Sequence, residues 1–138
     1  MKKKTFNIFL SLLSLSIGGF IYISTRPDSY VSVVAESVIS LDNLRACFSF
    51  LDIELIKYYL PDFLWSLSLT CALFAINRST VQVAGIAAIC GVLWEVGQAT
   101  GLISGTADIL DILMYLIATI VAVLINKKGV FKNEKEQN

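Results

Sequence analysis

The sequence predicts an all-α protein, a four-helix transmembrane bundle with short interfacial helices in a long outer loop between helices 1 and 2. Three observations predict it. Apolar residues make up 56% of the 138-residue chain. Charged residues make up only 16%, where a soluble domain carries about 25%. Mean hydropathy is +0.72, and four apolar runs alternate with polar joints. By length this is one domain, a transmembrane unit over 1–126 with a polar cytoplasmic tail over 127–138.

The first run, Phe6 to Ile23, carries no charge and gives a span over 6–24. A cleaved signal peptide is the competing reading, because Lys2, Lys3 and Lys4 precede the apolar stretch. Tyr22 to Arg26 lack the A-x-A character of a cleavage site, so a retained anchor is expected. The outer loop, 25–60, is long enough to hold structure of its own. Tyr30 to Ala35 is β-branched and reads as briefly extended. Leu41, Leu44, Cys47, Phe48 and Leu51 recur at helical spacing, with Ser40 as N-cap. A second helical piece, Ile53 to Leu60, is expected to end at Pro61, which disfavours helix in the residue before it.

Phe63 to Ile76 is the second charge-free run, and with its polar entrance gives a span over 61–77. Asn77 to Thr80 read as a tight turn. Val81 to Ala99 carries only Glu95 and gives the third span, 81–99. Gly101 to Thr106 form a short turn, and Ile112 to Ile125 the core of the fourth span, 108–126. Each run reaches or approaches the roughly 20 residues that a bilayer crossing needs.

Basic residues set the orientation. With the N-terminus in the cytoplasm, that side collects Lys2, Lys3, Lys4, Arg78, Lys127, Lys128, Lys132 and Lys135. The other side holds only Arg26, Arg45 and Lys57. A multi-pass protein of the cell (cytoplasmic or inner) membrane follows, with both termini cytoplasmic. No basic stripe with interleaved aromatics is present, so no nucleic acid is expected. The chain has no histidine, and its three cysteines show neither a disulfide framework nor a metal spacing. No cofactor and no metal are expected.

Candidate functional residues gather at the outer end. Glu95 lies about 21 Å along its span at about 1.5 Å per residue, some two-thirds of the way across a core of about 30 Å. A carboxylate at that depth faces a protein interior or a wet cavity. Gln98 follows three residues later on the same helical face. Asp108, Asp111 and Tyr115 share a face of the fourth span, above Ala118 and Ala122. Asp62, Ser66 and Thr70 form a matching stripe on the second. Asp62, Glu95, Gln98, Asp108, Asp111 and Tyr115 are therefore the candidate polar pocket, with Arg45 or Lys57 as counter-charge. Structural readings compete at each position. Asp108 suits an N-cap, Asp111 and Asp62 suit a first helical turn, and Glu95 suits a tie to Gln98, Tyr115 or Ser66. Ala84, Ala88 and Gly91 form a small-residue stripe suited to helix packing, within the chain, against another membrane protein or against a second copy of the chain in the lipid bilayer.

Glu95-x-x-Gln98, an outer turn, and Asp108 opening the fourth span resemble the VanZ-like family of small bacterial membrane proteins. The resemblance covers about Tyr58 to Ile125, and Pro61 opens the second span as the family's pattern has it. The family's histidine near that point is absent, with Trp65 in the neighbourhood, and Ser104 to Thr106 lack its basic residue. The resemblance implies a multi-pass bacterial membrane protein, whose namesake is associated with low-level resistance to glycopeptide antibiotics of the teicoplanin type.

The function expected is non-enzymatic: an outward-facing acidic pocket binding a ligand or partner in the cell envelope. No nucleophile is paired with a base along the chain. The alternatives are an accessory subunit docking a larger membrane complex through Ala84, Ala88 and Gly91, or a proton- or cation-coupled carrier using Glu95.

Overall fold

Helix α1 (Lys3–Thr25) leads the computed structural model, which describes residues 3–27, 29–47, 53–76, 78–103 and 105–135. There follow α2 (Tyr30–Glu36), α3 (Asp42–Cys47), a π-helical segment (Leu55–Tyr59), α4 (Leu60–Ala75), α5 (Thr80–Ala99) and α6 (Ile109–Lys135). Among the described residues every regular element is helical. Lys2, Phe48, Leu51, Asn77 and Ser104, used in the sequence reading, lie outside them.

Three of these helices are long and apolar enough to cross a membrane: α1, α5 and the Ile109–Lys127 part of α6. At 16 residues α4 is shorter, but it continues without a break from the π-helical segment. Its position decides the packing. α1 leans along α4, α6 packs on α4 from another side, and α5 touches both α4 and α6. The shared core is small: Leu67 and Cys71 of α4 meet Ala118 and Ala122 of α6, flanked by Leu10, Phe63, Phe74 and Val121. Small residues let the helices approach closely, which matters where lipid removes the hydrophobic drive between them.

Polar side chains complete the contacts. Asn7 of α1 and Asn126 of α6 are both buried and exchange amide hydrogen bonds of 3.0 and 3.3 Å. Ser11 and Ser68 join α1 to α4 at 3.1 Å. Ser66 Oγ donates to the Tyr115 carbonyl at 3.2 Å, joining α4 to α6. Large apolar side chains point the other way, as at Phe9, Leu12, Ile89, Leu93 and Ile120. Polar groups inside and large apolar groups outside invert the usual arrangement of a water-soluble domain.

Four local readings of the sequence differ from the structure. Tyr30 to Glu36 is helical rather than extended, because Ser29 accepts from the Ser32 amide and starts a helix that β-branching alone does not forbid. Ser40 does not cap α3; Leu41 precedes the helix, and its carbonyl accepts from the Arg45 amide. The polar end continues α6 to Lys135 rather than leaving it near residue 126, since no proline interrupts the ladder. Finally, Pro61 does not end the preceding helical piece. The backbone widens instead, with the Leu60 amide donating to the Leu55 carbonyl. Proline has no N–H for the Lys57 carbonyl one turn back. Arg26 supplies it: Nε donates to Lys57 O at 3.3 Å, and Nη2 to Tyr58 O at 3.0 Å.

Ser79 caps α5 through a reciprocal pair with Gln82. Gly101 ends that helix at φ 72°, a left-handed conformation that glycine adopts without steric cost.

Candidate functional site

One end of the bundle brings together the C-terminal ends of α1 and α5 and the N-terminal ends of α4 and α6. Glu95 is the hub. It is 5% exposed, and both its oxygens are engaged. Oε1 lies 3.2 Å from the Tyr115 hydroxyl, and Oε2 accepts from the Asp108 amide at 3.0 Å. The same Tyr115 hydroxyl lies 3.4 Å from Asp62 Oδ1, so its single proton serves one carboxylate at a time. α4, α5 and α6 are thereby tied through one phenol.

Asp108 does double duty. Its Oδ1 accepts from the Leu110 amide at 2.9 Å, capping α6, while Oδ2 accepts from the Tyr59 hydroxyl at 3.2 Å. Asp111 stands in the first turn of α6, its amide donating to the Asp108 carbonyl. Gln98 turns away from Glu95 toward the following loop. With its amide oriented to satisfy both neighbours, it donates to the Thr106 carbonyl at 3.1 Å and accepts from Trp94 Nε1 at 3.2 Å.

A cleft of about 940 Å³ opens at this end. Asp62, Gln98, Asp108, Asp111 and Tyr115 line it; Glu95 does not, standing behind Tyr115. Its aromatic side holds Trp65, whose ring centre is 6.1 Å from that of Trp94 and 6.3 Å from that of Tyr115. Gly91 lies under this group: a Cβ there would come within 2.6 Å of the Tyr115 ring. That part of the small-residue stripe is thus filled from within the chain.

Arg26 is the functional neighbour that sequence reasoning missed. Its guanidinium lies 4.0 Å from Asp62 and stacks near the rings of Tyr22 and Tyr58, 4.8 and 5.4 Å from their centres. Arg45, one of the two expected counter-charges, pairs with Glu36 instead. Lys57, the other, lines the cleft. The available signal was position: Arg26 is the first charge after the first apolar run, spaced four and seven residues from Tyr22 and Gly19. Among the described residues, no group of three or more cysteine or carboxylate side chains is disposed to hold a metal ion.

No family model matches the chain, and comparison with curated proteins and with solved structures likewise returns no match.

Proposed function

We propose that this chain is a four-span protein of the cell membrane, both termini cytoplasmic, which binds an envelope component at an outward-facing acidic cleft. The observation that carries the reading is a coincidence of place. The cleft sits where several apolar helices end together, and the acids Asp62, Asp108 and Asp111 line it. Support for α4 as the fourth span comes from the continuous rod Leu55 to Ala75, five π-helical residues followed by sixteen α-helical ones. At about 1.5 Å per residue such a rod is about 30 Å long, close to the hydrocarbon thickness.

Binding rather than transport is the better reading because the deepest acid is already committed. Glu95 holds Tyr115 and the Asp108 amide, so a carrier cycle through it would break both contacts at each turn. Kinship with the VanZ-like family, and any bearing on glycopeptide resistance, belong to the same proposal, and what supports them is the sequence resemblance alone: Glu95-x-x-Gln98, a turn, and Asp108 opening the next helix.

The test is accessibility of single cysteines in intact cells, with Cys47, Cys71 and Cys90 replaced by Ala. A membrane-impermeant maleimide should label Thr106→Cys directly, and Lys127→Cys only after lysis. Labelling of Lys127→Cys alone in intact cells would overturn the outward placement of the cleft.

A further inference from the structure

The cleft has the polarity of a lipid molecule. Its outer part is charged, with Asp62, Asp108 and Asp111 against Arg26 and Lys57. Its inner part is apolar, running down α1 past Tyr22 and Gly19 to Leu15, opposite Trp65 and Trp94. Leu15, Gly19, Tyr22 and Arg26 recur at spacings of four and three, which puts them on one helical face. α1 packs on α4 whereas α5 packs on α4 and α6, so the groove lies between α1 and α5 with α4 as its floor.

Gly19 shapes this groove. A Cβ at Gly18 would sit 3.1 Å from Leu64, so that glycine serves helix packing. A Cβ at Gly19 would meet nothing within 4 Å, yet the residue lines the cleft. Its missing side chain leaves room rather than contact.

Acids outnumber bases at the outer end, and tyrosine rings flank them. An ammonium group suits the carboxylates, while the Tyr22 and Tyr58 rings already carry Arg26 and Lys57. The nearby Arg26 and Lys57 suit the phosphate beside it. We propose that the cleft holds a phospholipid with a primary-amine headgroup, its ammonium at Asp111, its phosphate toward Arg26 and Lys57, and an acyl chain along Gly19 between Trp65 and Trp94. This rests on the reading that this end of the bundle meets a lipid headgroup layer.

Trp65 and Trp94 are the only two tryptophans in the chain, and both line the cleft, so their fluorescence reports its occupant. The purified full chain is reconstituted in phosphatidylglycerol vesicles. A small fraction of phosphatidylethanolamine with brominated acyl chains is compared with the same fraction of brominated phosphatidylglycerol. Quenching by the amine lipid should exceed that by the glycerol lipid about threefold, the preference that a partly solvated ion pair supplies. Gly19→Leu, which fills the groove, and Asp111→Asn, which keeps its shape, should each remove the excess. Gly85→Leu, at another glycine with open space around it, should retain it. Equal quenching by both lipids, or an excess that survives both cleft variants, would overturn the lipid site while leaving membrane insertion standing. Absence of quenching by either lipid would overturn the membrane reading as well.

Discussion

Glu95 and Gly91 show how much a single side chain decides at the α5–α6 contact. Glu95→Ala removes the acceptor of both the Tyr115 hydroxyl and the Asp108 amide. Individual hydrogen bonds inside membrane proteins average about 0.6 kcal/mol, and an orphaned buried group costs about 1–3 kcal/mol. A loss of about 1–2 kcal/mol is expected on unfolding in detergent, with Glu95→Gln recovering part of it. An unchanged unfolding midpoint for Glu95→Ala would show that the ties carry no stability. Gly91→Ala should cost about 1–3 kcal/mol, because its new methyl group meets the Tyr115 ring at 2.6 Å and overpacks it. Gly85→Ala is the matched control on the same helix. Nothing lies within 4 Å of its new atom, so it should be neutral or gain up to about 1 kcal/mol of helix propensity.

Between elements, polar pairs fix which helices meet. Asn7 and Asn126 lie at opposite ends of the sequence and bond each other in the interior. Asn7→Leu leaves the Asn126 amide facing an apolar neighbour, whereas changing both to Leu removes the mismatch. A double-mutant cycle on thermal unfolding should therefore give a coupling of about 1 kcal/mol, and zero coupling would mean that the pair only coexists. Arg26 plays the corresponding part at the other end. It occupies two carbonyls just before Pro61, and so joins the end of α1 to the start of α4. Neither link is visible as a local pattern. Asn7 reads as one polar residue in an apolar run, and Arg26 as a charge marking its end.

The whole molecule is organised by its solvent. Leu12, near the middle of α1, is 60% exposed, as are many large apolar side chains along the long helices. Leu12→Arg should cost about 2.5–3.5 kcal/mol of apparent insertion free energy, measured by membrane integration, while Leu12→Ala should be nearly silent. Equal integration of the two variants would argue that this surface does not face lipid. The inverted exterior also explains why the candidate site sits where it does. Carboxylates are tolerated at the ends of the apolar helices, where they meet amide donors, phenols and Arg26 rather than hydrocarbon.

Composition and the spacing of apolar runs by themselves determined the helical class and the long apolar helices, because a backbone in lipid must satisfy its own hydrogen bonds and only a continuous apolar helix does so cheaply over that length. They also marked Glu95, Asp108 and Tyr115, since a polar group in an apolar run is conspicuous without any structure. Tertiary structure alone decided the partners: that Glu95 bonds Tyr115 and the Asp108 amide, that Gln98 turns to the Thr106 loop, and that Arg26 rather than Arg45 faces Asp62. It also decided that Pro61 widens a helix instead of ending it. The reason is physical. Periodicity reports the environment of one helix at a time, whereas a hydrogen bond between helices depends on rotation and register that only packing against the others sets.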